Sequence, residues 1–423
     1  MPRPLLLALG LTSLLTTATA ADSARWWRGN LHTHSFWSDG DDFPEMIAER
    51  YKANGYHFLG FTDHNTLHLT NKWISTDKAK SAKVAFPKYA ARWGKDWIET
   101  RVAKDNAVEV RLKLMAEYRG NFEEPDRFLI IQSEEVTDRW KTAPIHMNAH
   151  NLRDPIQPRG GDSVVQVLSN NIASVLEQRQ RTGQPMFPHV NHPNFGAAIT
   201  PEELLQVRDA RFFEVFNGHP TVYNNGNSTN RAPSMDHLWD IVLTRRLAEL
   251  NYPVMYGLGT DDGHNYHTNR VGSSNPFRGW VWVRAAKLTP EALIAAMEAG
   301  DFYSSSGVKL RELRQDAKGI NLEIEAEKGV TYTTQFIGTR RGYDPKNEPQ
   351  RNAAGEALRV VHTYSKDIGA VLAEVKGPKA SYALKGDEIY VRAKIISSKP
   401  HPNPSQKGDV ETAWTQPVVP PAR

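Results

Sequence analysis

The sequence predicts an α/β fold of parallel strand–helix units followed by a small antiparallel β-domain. Three observations predict it. Short apolar runs that end in polar residues alternate with helical stretches through the first two thirds of the chain, as βα units require. Beyond "DFYSSSGVKL" (301–310) the pattern changes to period-two alternation, in "INLEIEAE", "TYTTQFIGT", "LRVVHTY", "VLAEVKG" and "EIYVRAKIIS", which suits strands packed on one face. Thirteen of the fifteen histidines lie before residue 268, so their chemistry belongs to the first region.

The elements follow in order. Residues 1–20 carry Arg3, a short apolar run and Ala18-Thr19-Ala20, the pattern of a signal peptide cleaved after Ala20. Periplasmic or secreted localisation is therefore expected. The next run, "GNLHTHSFWSDGDD" (29–42), reads as a strand end, with His32 and His34 two apart and on one face. Helices are expected at 43–54, 163–182, 201–208, 235–250 and 290–299; the first has acids and a proline at its start and Asn-Gly at its end. Five further strand ends are "YHFLGFTDHNT" (56–66), "RFLIIQSEEVTD" (127–138), "PMFPHVNHPNFG" (185–196), "RFFEVFNGHP" (211–220) and "YPVMYGLGTDDGH" (252–264). Residues 68–126 interrupt this rhythm with a charged, Ala-rich and mostly helical stretch, read as an inserted helical subdomain or lid. The domains are then 21–306, carrying that insert, a β-rich accessory domain at 307–398, and a loose Pro-rich tail at 399–423.

Composition excludes several classes. At 423 residues, 39% hydrophobic and 24% charged, the chain has the make-up of a globular protein. No segment offers eighteen consecutive apolar residues to span a bilayer. The absence of cysteine rules out disulfides, a lipoprotein anchor and thiolate zinc sites, leaving His, Asp and Glu as ligands. The net charge of +4, without a basic run, gives no nucleic-acid footprint. The expected partner is a small-molecule ester, and no oligomeric state follows from the sequence.

If these strands share one rim, their polar ends converge. The convergent set is His32, His34 and Asp39, His64, Glu134 or Glu135, His146 or His150, His189 or His192, and Asp261 or Asp262 with His264. This exceeds the three protein ligands and one water of a single catalytic zinc, and suits two or three divalent ions. Such ions activate water for attack near neutral pH and clamp the oxyanions of a displacement. Arg270, Arg278 and His267 follow the last motif; the arginines could hold a phosphate bidentately. His219, also beside a strand end, is a further substrate-contact candidate.

The order of motifs, "LHTHSFWSDG", "FTDHNT", "SEEVT" with "IHMNAHN", "VNHP" and "GTDDGH", resembles the PHP (polymerase and histidinol phosphatase) metallohydrolases over roughly residues 28–306. "EVFNG", "GLGTDDGH" and "GDFYSSSG" resemble its CehA/McbA-type branch. The resemblance implies a distorted (β/α)7 TIM-like barrel and a di- or trinuclear site of Zn, Mn or Fe. Its metal ligands would be His32, His34, Asp39, His64, Glu135, His146, His192, Asp262 and His264, with Asp262, His264 and His192 at the reaction centre. Asp63 would orient an imidazole. Here Ser133 replaces the family's glycine in the third motif, and Asp261 is an added acid in the last. The implied activity is phosphomonoester or phosphodiester hydrolysis by metal-bound hydroxide. The alternatives are a CehA-like carbamate, ester or amide hydrolase on the same site, and a non-catalytic envelope-ligand-binding protein.

Overall fold

The computed structural model describes residues 24–421; the leader read at 1–20 lies outside them. The described residues begin with β1 (Arg25–Asn30), α1 (Pro44–Ala53) and β2 (Phe58–Phe61). The insert follows as β3 (Trp73–Ser75), α2 (Lys80–Trp93), β4 (Thr100–Val102), β5 (Val108–Arg111) and α3 (Met115–Tyr118). Then come β6 (Leu129–Trp140), β7 (Ala143–His150), α4 (Val164–Thr182), β8 (Phe187–Val190), α5 (Pro201–Leu204), β9 (Phe212–Asn217), α6 (Met235–Ala248) and β10 (Tyr256–Thr260). After β11 (Trp280–Ala285), α7 (Pro290–Glu298) and β12 (Phe302–Ser305) the remaining regular elements are all strands. These are β13 (Leu310–Asp316), β14 (Gly319–Ile324), β15 (Tyr332–Arg340), β16 (Asn347–Glu348), β17 (Thr363–Tyr364), β18 (Ala370–Lys376), β19 (Lys379–Ala383), β20 (Glu388–Pro400) and β21 (Val410–Thr415).

Local chemistry sets the helix ends. Ser163 accepts the Gln166 N–H at the start of α4, and Gly183, at φ 70°, closes it in the left-handed region. Thr289 and Pro290 start α7 in the same way. Thr200 and Glu203 form a reciprocal capping box on α5, which spans only Pro201–Leu204 rather than the eight residues expected.

Thirteen strands form one sheet in the order β10-β9-β8-β7-β6-β2-β1-β11-β12-β21-β20-β15-β18. The fold is thus mixed α/β with a large curled sheet, not an all-parallel barrel. β1–β2, β2–β6, β8–β9 and β9–β10 pair in parallel. β7 runs antiparallel to both neighbours, because only Lys141 and Thr142 separate it from β6 and so short a connection makes a hairpin. Among the described residues no ladder joins β10 to β1. The curl still brings their ends together at a single parallel bridge, Thr33 to Gly263, with the His34 N–H donating to the Gly263 carbonyl at 3.0 Å. The strand ends therefore meet on one rim.

Three sequence expectations need correcting here. The insert is not mostly helical, since β3, β4 and β5 form their own antiparallel sheet. The C-terminal strands are not a separate sheet: β15, β18 and β20 extend the main one, while β13, β14 and β19 form a small second sheet. Nor is the Pro-rich segment a loose tail, for β21 pairs with both β12 and β20 and buries Trp414, Thr415 and Gln416. Among the described residues no helix is long and apolar enough to cross a membrane.

Candidate metal centre

All nine residues of the resemblance-based ligand set come to one rim. His32, His34 and Glu135 form one group within ligand reach, His32, His192 and Asp262 another, His34, Asp39, His64 and His264 a third, and His64, Glu135 and His146 a fourth. Backbone geometry aims them. His192 (φ 23°) and Asp262 (φ 49°) both take left-handed conformations that cost free energy for such residues. Gly40 closes the Ser38-Asp39-Gly40 turn so tightly that a Cβ there would lie 2.5 Å from the His34 carbonyl carbon. No other residue fits, and Asp39 is held above the rim by that turn.

The deepest group fits a cation on two counts. His32 Nε2 and His34 Nε2 are fully buried and have no hydrogen-bond partner, an expensive state for polar atoms. Each lies 3.3 Å from Asp262 Oδ1 and 3.5–3.6 Å from a Glu135 oxygen. Bonds of about 2.0–2.1 Å from one tetrahedral ion would set its ligands roughly 3.3 Å apart. Around this core, Asp39 Oδ1 lies 3.5 Å from His64 Nε2 and 3.4 Å from His264 Nε2. Glu135 Oε1 lies 3.0 Å from His146 Nδ1 and 3.5 Å from His192 Nε2. Glu135 thus faces two groups at once. Asp39 is the exposed member, with 57% of its side chain accessible, and marks the open side.

The electrostatics agree. Burial alone would push the Glu135 carboxyl up, but His146, His64 and His32 hold it well below its usual range. Asp262 is held down against burial by His32, His34 and His264, and Asp39 by His264 and His64. Burial would lower His64, yet Glu135 and Asp39 carry it up to about 11. His34 falls to about 4 through burial and the neighbouring His264. Ionised carboxylates among imidazoles are oxygen and nitrogen donors for divalent cations.

The structure separates each pair left open by the strand-end reading. Glu134 points away from Glu135: one oxygen accepts the Ile156 N–H, the other is unpartnered, and burial pushes the carboxyl up to about 8. Asp261 faces inward under the rim and accepts from Tyr51 Oη and the Phe277, Arg278 and Gly279 N–H groups, leaving Asp262 toward the histidines. His150 and His189 lie deeper inside the curled sheet, 3.0 Å apart.

Several expected contacts fall elsewhere. Arg278 is buried, and its guanidinium donates to the Gly218, Asn403 and Pro404 carbonyls among others, so it has no face for a phosphate. Arg270 is exposed and donates to Ser273 Oγ. His267 Nε2 meets the Asp41 carbonyl at 3.1 Å, and its Nδ1 faces Lys88. Asp63 orients no ligand imidazole directly: it accepts from Ser35, Ser38 and His68. Ser38 in turn meets His34 Nδ1 at 3.2 Å, so Asp63 acts on that ring through a hydroxyl. His219 stands beside the centre, 5.6 Å from the His264 ring, with Nδ1 engaged by Thr221.

Sequence reasoning missed Glu214, which meets His32 Nδ1 at 2.6 Å, and Asn191, which donates to Glu135 Oε1 at 2.7 Å. A signal existed for the first: a lone acid in the apolar run "RFFEVFN".

No family model matches this chain, and no curated protein does. It is similar to a solved two-domain protein from Bacteroides vulgatus containing a predicted PHP-like metal-dependent phosphoesterase. That match has 15% identity and a TM-score of 0.40, and covers 93% of this chain and 96% of that one. It is also similar to a solved protein from Bifidobacterium adolescentis, a proposed metal-dependent phosphoesterase, at 12% identity and a TM-score of 0.28, covering 56% of this chain and 87% of that one.

Proposed function

We propose that the chain is a PHP-type metal-dependent hydrolase, exported from the cytoplasm, that cleaves phosphomonoesters or phosphodiesters. The observation that carries the reading is the pair of buried, unpartnered nitrogens, His32 Nε2 and His34 Nε2, each 3.3 Å from Asp262 Oδ1 and 3.5–3.6 Å from a Glu135 oxygen. In this reading His32, His34, Glu135 and Asp262 would hold one ion. Asp39, His64 and His264 would hold a second, and Glu135 and His146, with His64 or His192, would hold a third. Divalent ions bound there supply activation of water near neutral pH and neutralise charge on a reacting ester. The chain's own groups do the rest. Asn191 fixes one Glu135 oxygen, and Phe195, 5.1 Å from the His192 ring, forms an apolar wall at the mouth. His219, its Nδ1 occupied by Thr221, offers Nε2–H as a donor beside His264.

One observation favours a second reading, hydrolysis of an aryl carbamate or carboxylic ester. Arg278, the arginine expected to grip a phosphate, is spent on backbone carbonyls, and a neutral ester needs no such grip. An assay of the metal-reconstituted protein with p-nitrophenyl phosphate, bis-p-nitrophenyl phosphate and an aryl carbamate separates the two. Cleavage of either phosphate supports the first reading; cleavage of the carbamate alone replaces it with the second.

A further inference from the structure

Below the rim, the interior of the curled sheet holds three ionisable side chains that the proposed reaction does not use. They are Glu214, His189 and His150, all at 1% exposure or less. A carboxylate in the middle of apolar β9 is costly unless its oxygens are satisfied. Glu214 is satisfied fully. Its Oε1 accepts from Thr260 Oγ1 at 2.7 Å and lies 2.6 Å from His32 Nδ1 and 3.4 Å from His189 Nε2. Its Oε2 accepts the His192 N–H at 2.7 Å and Asn217 Nδ2 at 2.8 Å.

These contacts fix the direction of a longer chain. An ionised carboxylate only accepts, so both His32 Nδ1 and His189 Nε2 must carry a proton. In a neutral His189, Nδ1 is then a bare acceptor, and among the described residues the group placed to fill it is His150 Nε2–H at 3.0 Å. His150 Nδ1 is bare in turn and faces Ser133 Oγ at 3.0 Å. With His189 and His150 neutral and the Ser133 hydroxyl turned from the Ile131 carbonyl, 3.2 Å away, to His150 Nδ1, the order Ser133, His150, His189, Glu214, with His32 on the far side, takes one consistent set of tautomers. In that set His32 turns its lone pair, on Nε2, toward Asp262 and Glu135.

We propose that Glu214, backed by His189 and His150, is the positioning residue that holds His32 in its ligating tautomer and orientation. This rests on the reading of the rim as an ion-holding centre. Without Glu214 the His32 ring is free to rotate or to place its proton on Nε2, and the deepest four-donor group loses a member. Carboxylate partners of ligating histidines typically contribute about 10- to 100-fold in affinity.

Zinc titration against a competing chelator, on wild type and Glu214→Gln, is one test. The expected result is a wild type that binds at least two ions per chain and a variant in which one of them is weakened about 10- to 100-fold while the others keep their affinity. A purely structural role would weaken all of them together. Imidazole 15N spectra of the zinc-loaded wild type provide a second test that needs no variant: the proton should sit on Nδ1 of His32 and on Nε2 of His189 and His150. Equal affinity for every ion in Glu214→Gln, or a proton on Nδ1 of His189 or His150, overturns the assignment to Glu214 alone. A wild type that binds no zinc instead overturns the ion-holding centre, and this role falls with it.

Discussion

At the residue scale, the candidate centre depends on which side chains of each pair face the rim. Glu135, His146, His192 and Asp262 do so; Glu134, His150, His189 and Asp261 face other partners. Sequence spacing narrowed these pairs without separating them. Strand alternation places Glu134 and Glu135 on opposite faces but does not say which face is the interior. His146 and His150 share a face at different depths, and depth depends on the curl of the sheet. Glu214 was hidden for another reason, since a lone acid in an apolar run reads as strand texture until its five donors are seen. A stability test also belongs at this scale. Burial pushes the Asp42 carboxyl up to about 7, against a usual value near 3.9. The folded state therefore binds the proton more tightly than the unfolded one, so this contribution to stability is complete below about pH 4 and lost as pH rises through about 7. Asp42→Asn should raise the melting temperature at pH 8 and leave it nearly unchanged at pH 4. An equal gain at both values would show that Asp42 is not the source.

At the element scale, helices with strong end signals were the most legible part. α1, α4, α6 and α7 lie within two residues of their expected bounds, each with a proline or a hydroxyl cap at its start. The β6–β7 hairpin was less visible because strand and turn propensities do not reveal pairing direction. The final strand was misread because prolines dominate the segment, yet Pro400, Pro402 and Pro404 flank β21 rather than interrupt it. β21 fills a place between β12 and β20, and Gln416 bonds both the N–H and the carbonyl of Gly257 on β10. Arg278 also spends part of its guanidinium on Asn403 and Pro404. A chain ended after Pro400, which lacks Asn403, Pro404, β21 and Gln416, should therefore lose cooperative unfolding of the first region as well as of the C-terminal strands. A single sharp transition, unshifted from the full chain, would contradict this.

At the scale of the whole molecule, the site-bearing region and the C-terminal strands are joined through α6, which is buried on most of its faces. Arg392 on β20 donates to both oxygens of Asp240 on α6, at 2.8 and 2.7 Å, and lies 2.9 Å from Asp236; Tyr390 Oη adds a bond to Asp240 at 2.8 Å. Removing one partner leaves an uncompensated buried charge. Arg392→Met should cost about 3–5 kcal/mol in urea unfolding, and Arg392→Met with Asp240→Leu should recover much of that. A single-variant cost below about 1 kcal/mol would place the linkage elsewhere. What this scaffold supports is a rim where nine donors meet, and the central claim is that the rim holds divalent ions. Elemental analysis of the purified, metal-reconstituted chain, wild type beside His34→Ala, tests this most directly. The account predicts two or three ions per wild-type chain and at least one fewer in the variant. Less than one ion per wild-type chain, or the same content in both proteins, would contradict it.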